Sequence, residues 1–430
     1  MKRRTISLLL CALLALGMLA GCSGKAPAAP EETAAEPSRT SAEKPAELPP
    51  AESLAGETWE EAAPADLARA LDLAAALLRL CPEGNTLLSP ASILCALGMA
   101  LNGAAGETRE GLEEALGFTA GELNAAMEAW LAALDREDGP LHLADGIWIS
   151  DDPELEIEPG FLAQCREKYA AAAERLAFDG KALEEINAFV RENTAGMIDG
   201  ILDAIPRDAM VYLVSALAFE ADWETVYRED QVRPGYFTAA DGAEQKAEFL
   251  HSTEWSYLED GNSRGFLKYY EGRRWAFAAL LPEEGMSLSA YIDGLSGEKF
   301  RSLLETKQEV KVETSMPKFT AQDDLELGSL LAALGAADAF DPERADFSAL
   351  GCCKKGENLC ISRVLHRTCL KLDEKGTQAG AATAVEIVKA TALMEPEPVR
   401  RVDLDRPFLY LLLDTESGMP LFIGTVSSLE

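Results

Sequence analysis

Apolar residues recur at helical spacing over residues 65–80, at Leu67, Leu71, Leu73, Leu77 and Leu78, with Pro64 ahead of them in a place that suits a first helical turn. The spacing predicts a second helix over residues 90–101, with Ser89 as its N-cap and Asn102-Gly103 as its stop. A third is expected over 108–116, ended by Gly117. Helical patterning returns at 122–134, 159–169 and 182–193. The character then changes. Short strand-like runs follow at 211–219, 265–270, 275–281, 310–314, 409–413 and 421–426. Helices first and strands later, with few strand–helix–strand alternations, predict an α+β fold rather than a doubly wound sheet. No internal repeat is visible.

The amino terminus reads as an address. Lys2, Arg3 and Arg4 precede an apolar run from Ile6 to Ala20, too short to span a membrane and followed by polar sequence. Residues 1–21 therefore predict a signal peptide, and Leu19-Ala20-Gly21-Cys22 resembles the bacterial lipobox, in which Cys22 would be lipidated. Acyl chains there would bury methylenes at about 0.8 kcal/mol each. Residues 22–56 are rich in Ala, Pro, Glu, Ser and Thr and nearly lack large apolar groups, so they predict a disordered tether. As a flexible coil it would reach roughly 30 Å. A single folded domain is assigned to 57–430, anchored to the outer face of a bacterial membrane or secreted.

At 430 residues, 48% of them apolar, the chain can bury a large core. The formal charge of −34 argues against nucleic acid and anionic headgroups as partners, and against activation by a polyanion. Beyond residue 22 lie seven cysteines, an odd number, with Cys352 and Cys353 adjacent and no CxxC pair. That excludes a small-domain disulfide framework and disfavours a zinc ribbon or redox dithiol; buried thiols are expected, with no metal and no cofactor. HExxH, P-loop and dinucleotide signatures are missing, and the three histidines stand at 142, 251 and 366. Nothing here reads as an enzyme.

Four separated segments resemble the serpin family in the order that family shows them. They are Asn85 to Thr108, with Ser89-Pro90-Ala91-Ser92-Ile93 and Gly103-Ala104; Leu213 to Trp223; Met316-Pro317-Lys318-Phe319 together with Ala345-Asp346-Phe347-Ser348; and Asp405-Arg406-Pro407-Phe408 with Leu421-Phe422-Ile423-Gly424. The resemblance covers about 64–430. It implies eight or nine helices packed on three β-sheets with an exposed reactive-centre loop, and a monomer that inhibits serine or cysteine proteases.

Under that resemblance Glu374, Gly376, Thr377, Ala379, Gly380, Ala381, Ala382 and Thr383 form the hinge of the loop. The residues themselves agree. Gly376 supplies a pivot, and one period-two face carries Thr377, Ala379, Ala381, Thr383, Val385 and Ile387, uncharged and starting small, as a strand must be to slip into a sheet. An Ala-rich amphipathic helix is the competing local pattern. Family spacing places the scissile bond between Ala390 and Thr391, which suits elastase-like or subtilisin-like pockets. The segment before Pro407 is long, so Lys389 (trypsin-like), Leu393 and Met394 stay as alternatives. Ser89, Ser92, Ser215 and His366 match a polar cluster beneath the central sheet, Ser215 standing where the family usually has Asn. Trp223 matches an aromatic at the top of the sheet, or is plain core filling; Glu374 either pairs with Lys318 there or is solvated. A non-inhibitory serpin-fold binding lipoprotein is the alternative function.

Overall fold

Strand Val211–Phe219 is buried at every position, so it must be covered on both faces. In the computed structural model, which describes residues 64–81, 83–134, 139–206, 209–377 and 399–429, its side chains alternate between two cores. Leu213, Leu217 and Phe219 join the main cluster, which includes helix Pro90–Gly103. Tyr212, Val214 and Ala216 face a smaller cluster with Ile186 and Val190 of helix Gly180–Asn193. Period two in the strand thus becomes two layers of packing.

Nine α-helical segments and three sheets make up the described residues, a mixed α+β architecture. Helix Pro90–Gly103 is the most enclosed, with Ser89 Oγ accepting the Ser92 amide at 3.2 Å and Pro90 in the first turn. Helix Ala120–Ala133 starts from a capping box between Thr119 and Glu122. The central sheet runs Ala172–Leu176, Leu141–Ser150, Val211–Phe219, Arg363–Leu372, with Phe319–Glu326 paired outside the last. A nine-stranded sheet carries the chain's last strands, Phe408–Asp414 and Pro420–Val426, beside Trp275–Pro282, and Thr86–Leu88 closes onto Ile423–Thr425. Strands Gly351–Cys353 and Leu155–Ile157 form the third.

Every helix and strand expected from the pattern is present, with ends moved by a few residues. Several strands were not foreseen. Glu244–Glu259 has its polar residues on a face open to solvent, and Phe319–Glu326 lies at the sheet margin with three acidic residues, so neither carries a long apolar signature. Leu141–Ser150 hides its period behind Asp145 and Gly146.

Candidate functional site

The decisive geometry lies between two strands. Val211–Phe219 and Arg363–Leu372 pair directly and in parallel, from Tyr212↔Arg363 to Ala218↔Cys369, so no third strand separates them along that length. Beyond Phe219 they part. Into the fork goes Gly376–Thr377, with Thr377 opposite both Leu372 and Ala221 and Gly376 opposite Asp222. A turn at 373–376 makes this possible: the Asp373 amide donates to Gly376 O at 3.0 Å, and Asp373 Oδ1 accepts the Lys375 amide at 2.9 Å.

Thr377 is fully buried, and its Oγ1 lies 2.7 Å from Tyr270 Oη. Gly376 supplies room here, and its φ is not among the positive ones. A Cβ there would fall 2.0 Å from the Ala221 carbonyl oxygen. Trp223 holds the turn twice, its amide donating to Lys375 O at 2.8 Å and its indole Nε1 to Asp373 O at 3.1 Å. The Tyr227 amide donates to Glu374 O at 2.9 Å. Trp223 also stacks on Tyr270 with ring centres 4.2 Å apart, so its indole both packs and binds. Lys318 Nζ stands 2.8 Å from Glu374 and 2.8 Å from Glu248. The Lys318 hydrogen bond holds the Glu374 carboxyl below the ordinary range.

Deeper under the same two strands sits a closed polar cluster. His366 Nε2 accepts the Ser89 amide at 3.0 Å, which assigns the proton to Nδ1, 3.3 Å from Ser215 Oγ. Ser215 Oγ is hydrogen-bonded to Ser92 Oγ, and Ser92 Oγ donates to Asp145 Oδ1 at 3.1 Å. Burial pushes the His366 imidazole down to about 3, so it is neutral at ordinary pH. The cluster joins helix Pro90–Gly103 to three adjacent strands, and parting His366 from Ser215 parts the sheet.

The structure thus brings Ser89, Ser92, Ser215 and His366 together, and separately Trp223, Lys318, Glu374, Gly376 and Thr377. Ala379, Gly380, Ala381, Ala382, Thr383, Lys389, Ala390, Thr391, Leu393, Met394 and Cys22 lie outside the described residues. Sequence reasoning missed Asp145, Tyr227 and Tyr270. Asp145 had a signal: it sits on the face of its strand that otherwise carries Leu141, Leu143, Ile147 and Ile149. Among the described residues no group of three or more His, Cys, Asp or Glu is placed to hold a metal ion.

The central sheet is thus mixed, with two parallel strands in direct contact and Gly376–Thr377 wedged in the fork where they part. The family model for serpins, serine protease inhibitors, matches residues 65–429, and the chain belongs to that family. It is similar to Serpin-ZX of Arabidopsis thaliana, 31% identical with 80% of this chain and 92% of that protein covered. A leukocyte elastase inhibitor of Bos taurus is 28% identical, with 86% of this chain and 100% of the relative covered. Among solved structures, the thermophilic serpin tengpin in its native state superposes with a TM-score of 0.78 at 38% identity, covering 84% of this chain and 94% of that one.

Proposed function

We propose that the chain inhibits serine proteases as a suicide substrate, by loop cleavage, acyl-enzyme trapping and strand insertion. The observation that carries this reading is the fork: the strand that would follow Thr377 has a register started between Leu372 and Ala221, and the two strands below it pair directly, with no strand between them. The target's nucleophile attacks the scissile carbonyl between Ala390 and Thr391 and forms an acyl-enzyme. The freed segment after Thr377 then enters the sheet and carries the protease with it. Insertion replaces one parallel contact by two antiparallel ones, which is the downhill step. Pulling the oxyanion donors out of place alone slows deacylation by around a hundredfold.

An Ala before the bond favours elastase-like or subtilisin-like proteases, in keeping with the bovine relative's name; Lys389 would direct the loop to trypsin-like ones, and Leu393 and Met394 are the further alternatives. Residues 1–21 act as a signal, and lipidated Cys22 with the tether to residue 56 holds the domain outside a bacterial membrane. The test is to mix the domain with elastase, subtilisin and trypsin. An SDS-stable complex plus a released carboxy-terminal fragment beginning at Thr391 is expected. Cleavage without complex by all three would instead mark a non-inhibitory serpin-fold binding protein.

A further inference from the structure

Strand Ser263–Tyr269 contains a lysine whose side chain is only 2% exposed. Lys268 faces away from water, and burying an ammonium is costly unless its surroundings replace the lost hydration. They do so in a specific way. Nζ lies 2.9 Å from Glu254 Oε1 and 3.3 Å from the Thr225 carbonyl oxygen. It also sits 4.5 Å from the centre of the Tyr227 ring and 5.2 Å from that of Trp223. Both distances fall within the range at which a desolvated cation is held by an aromatic face. Glu254 is fixed in turn: Ser252 Oγ donates to its Oε1 at 2.6 Å, and Tyr227 Oη lies 3.3 Å from that same hydroxyl.

The two aromatic residues gathered by this one ammonium are the two that hold the hinge. Between them Trp223 and Tyr227 donate to the carbonyl oxygens of Asp373, Glu374 and Lys375, three consecutive residues of the turn that feeds Thr377 into the sheet. The cation therefore stands one layer below the hydrogen bonds that fix the turn. We propose that Lys268, paired with Glu254, is a positioning residue for strand insertion: it pins Trp223 and Tyr227 so that the turn at 373–375 stays a fixed template while the loop enters the sheet. A loosened template slows insertion, and an acyl-enzyme that waits longer is hydrolysed. This inference rests on the proposed inhibitory function.

The test is the partition between complex and cleaved inhibitor, measured with whichever of elastase, subtilisin or trypsin gives the complex. Lys268→Met keeps the length of the side chain and removes the charge. The ratio of SDS-stable complex to cleaved inhibitor is expected to fall about tenfold, the scale of a single cation–π contact, while the rate of loop cleavage is unchanged. The double variant Lys268→Met/Glu254→Gln removes the carboxylate that the first leaves unpaired, so it also serves if the single variant folds poorly. It should show the same low ratio. A wild-type ratio in Lys268→Met, or its restoration in the double variant, overturns the proposal, the second because the orphaned carboxylate was then the cause. A wild-type protein that forms no complex defeats the proposed function itself and this inference with it; a wild-type complex with unaltered variants defeats the inference alone.

Discussion

At the scale of single residues, Thr377 and His366 carry the strongest expectations. Thr377 is enclosed on all sides, so Thr377→Arg would bury a charge with no partner, at a cost of several kcal/mol. The hinge would stay out of the fork, and the protein should be cleaved as a substrate without forming an SDS-stable complex; unchanged complex yield on a gel would rule out insertion through this position. For His366 the sign follows from burial. Its folded pKa, about 3, lies below the unfolded value near 6.5, so its contribution to stability is whole above about 6.5 and is lost as pH falls toward 3. Relative to His366→Gln, the wild type should lose about 1.4 kcal/mol per pH unit below about 6.5, read from denaturant midpoints between pH 7 and pH 5. Parallel pH dependence of the two proteins would show that the imidazole is not held neutral. The serines of this cluster were recognisable in sequence through the resemblance. Asp145 stood out only as an acid on an apolar strand face, and it gains its meaning from the Ser92 hydroxyl that faces it.

The hinge and its surroundings belong to the scale of elements. Gly376 was expected to matter as a pivot, and the fold adds a close approach to strand Ala221–Asp222. Gly376→Ala sets a methyl against backbone that cannot yield, a strain of about 1–3 kcal/mol. The native thermal midpoint should fall and complex yield with it, because re-entry of the hinge meets the same obstacle; normal yield in a complex assay would refute this. Lys318 offers a contrast. Its pairs with Glu374 and Glu248 are short, yet the lysine is 25% exposed and the glutamates 40% and 64%. Screening by solvent leaves each worth less than about 1 kcal/mol. Lys318→Ala should thus shift the unfolding midpoint only slightly, and the shift should shrink further at high salt. The difference between these two substitutions is one of dielectric and rigidity. Backbone clashes have nowhere to relax, whereas exposed ion pairs exchange with water.

At the scale of the whole molecule, the terminal strands pair with the start of the domain, Thr86–Leu88 against Ile423–Thr425, and the central sheet joins strands more than 150 positions apart, such as Tyr212 and Arg363. Such long closures form slowly, and a chain can stop in a state that lacks one strand which its own sequence could provide. From this follows the expectation that proteolytic nicking of the loop raises the thermal midpoint by tens of degrees, as strand pairing is completed. A nicked protein that melts where the intact one does would deny any stored free energy. The sequence by itself determined the helices, the apolar strands, the acidic surface and the family, because these rest on local periodicity, composition and short motifs. Only the tertiary structure decided which strands lie side by side, that Gly376 and Thr377 already occupy the fork, and that a buried Lys268 underlies the aromatic residues holding them. The reason is physical: register between distant strands, and the fate of a charge inside a core, depend on partners that the neighbouring residues in the chain do not name.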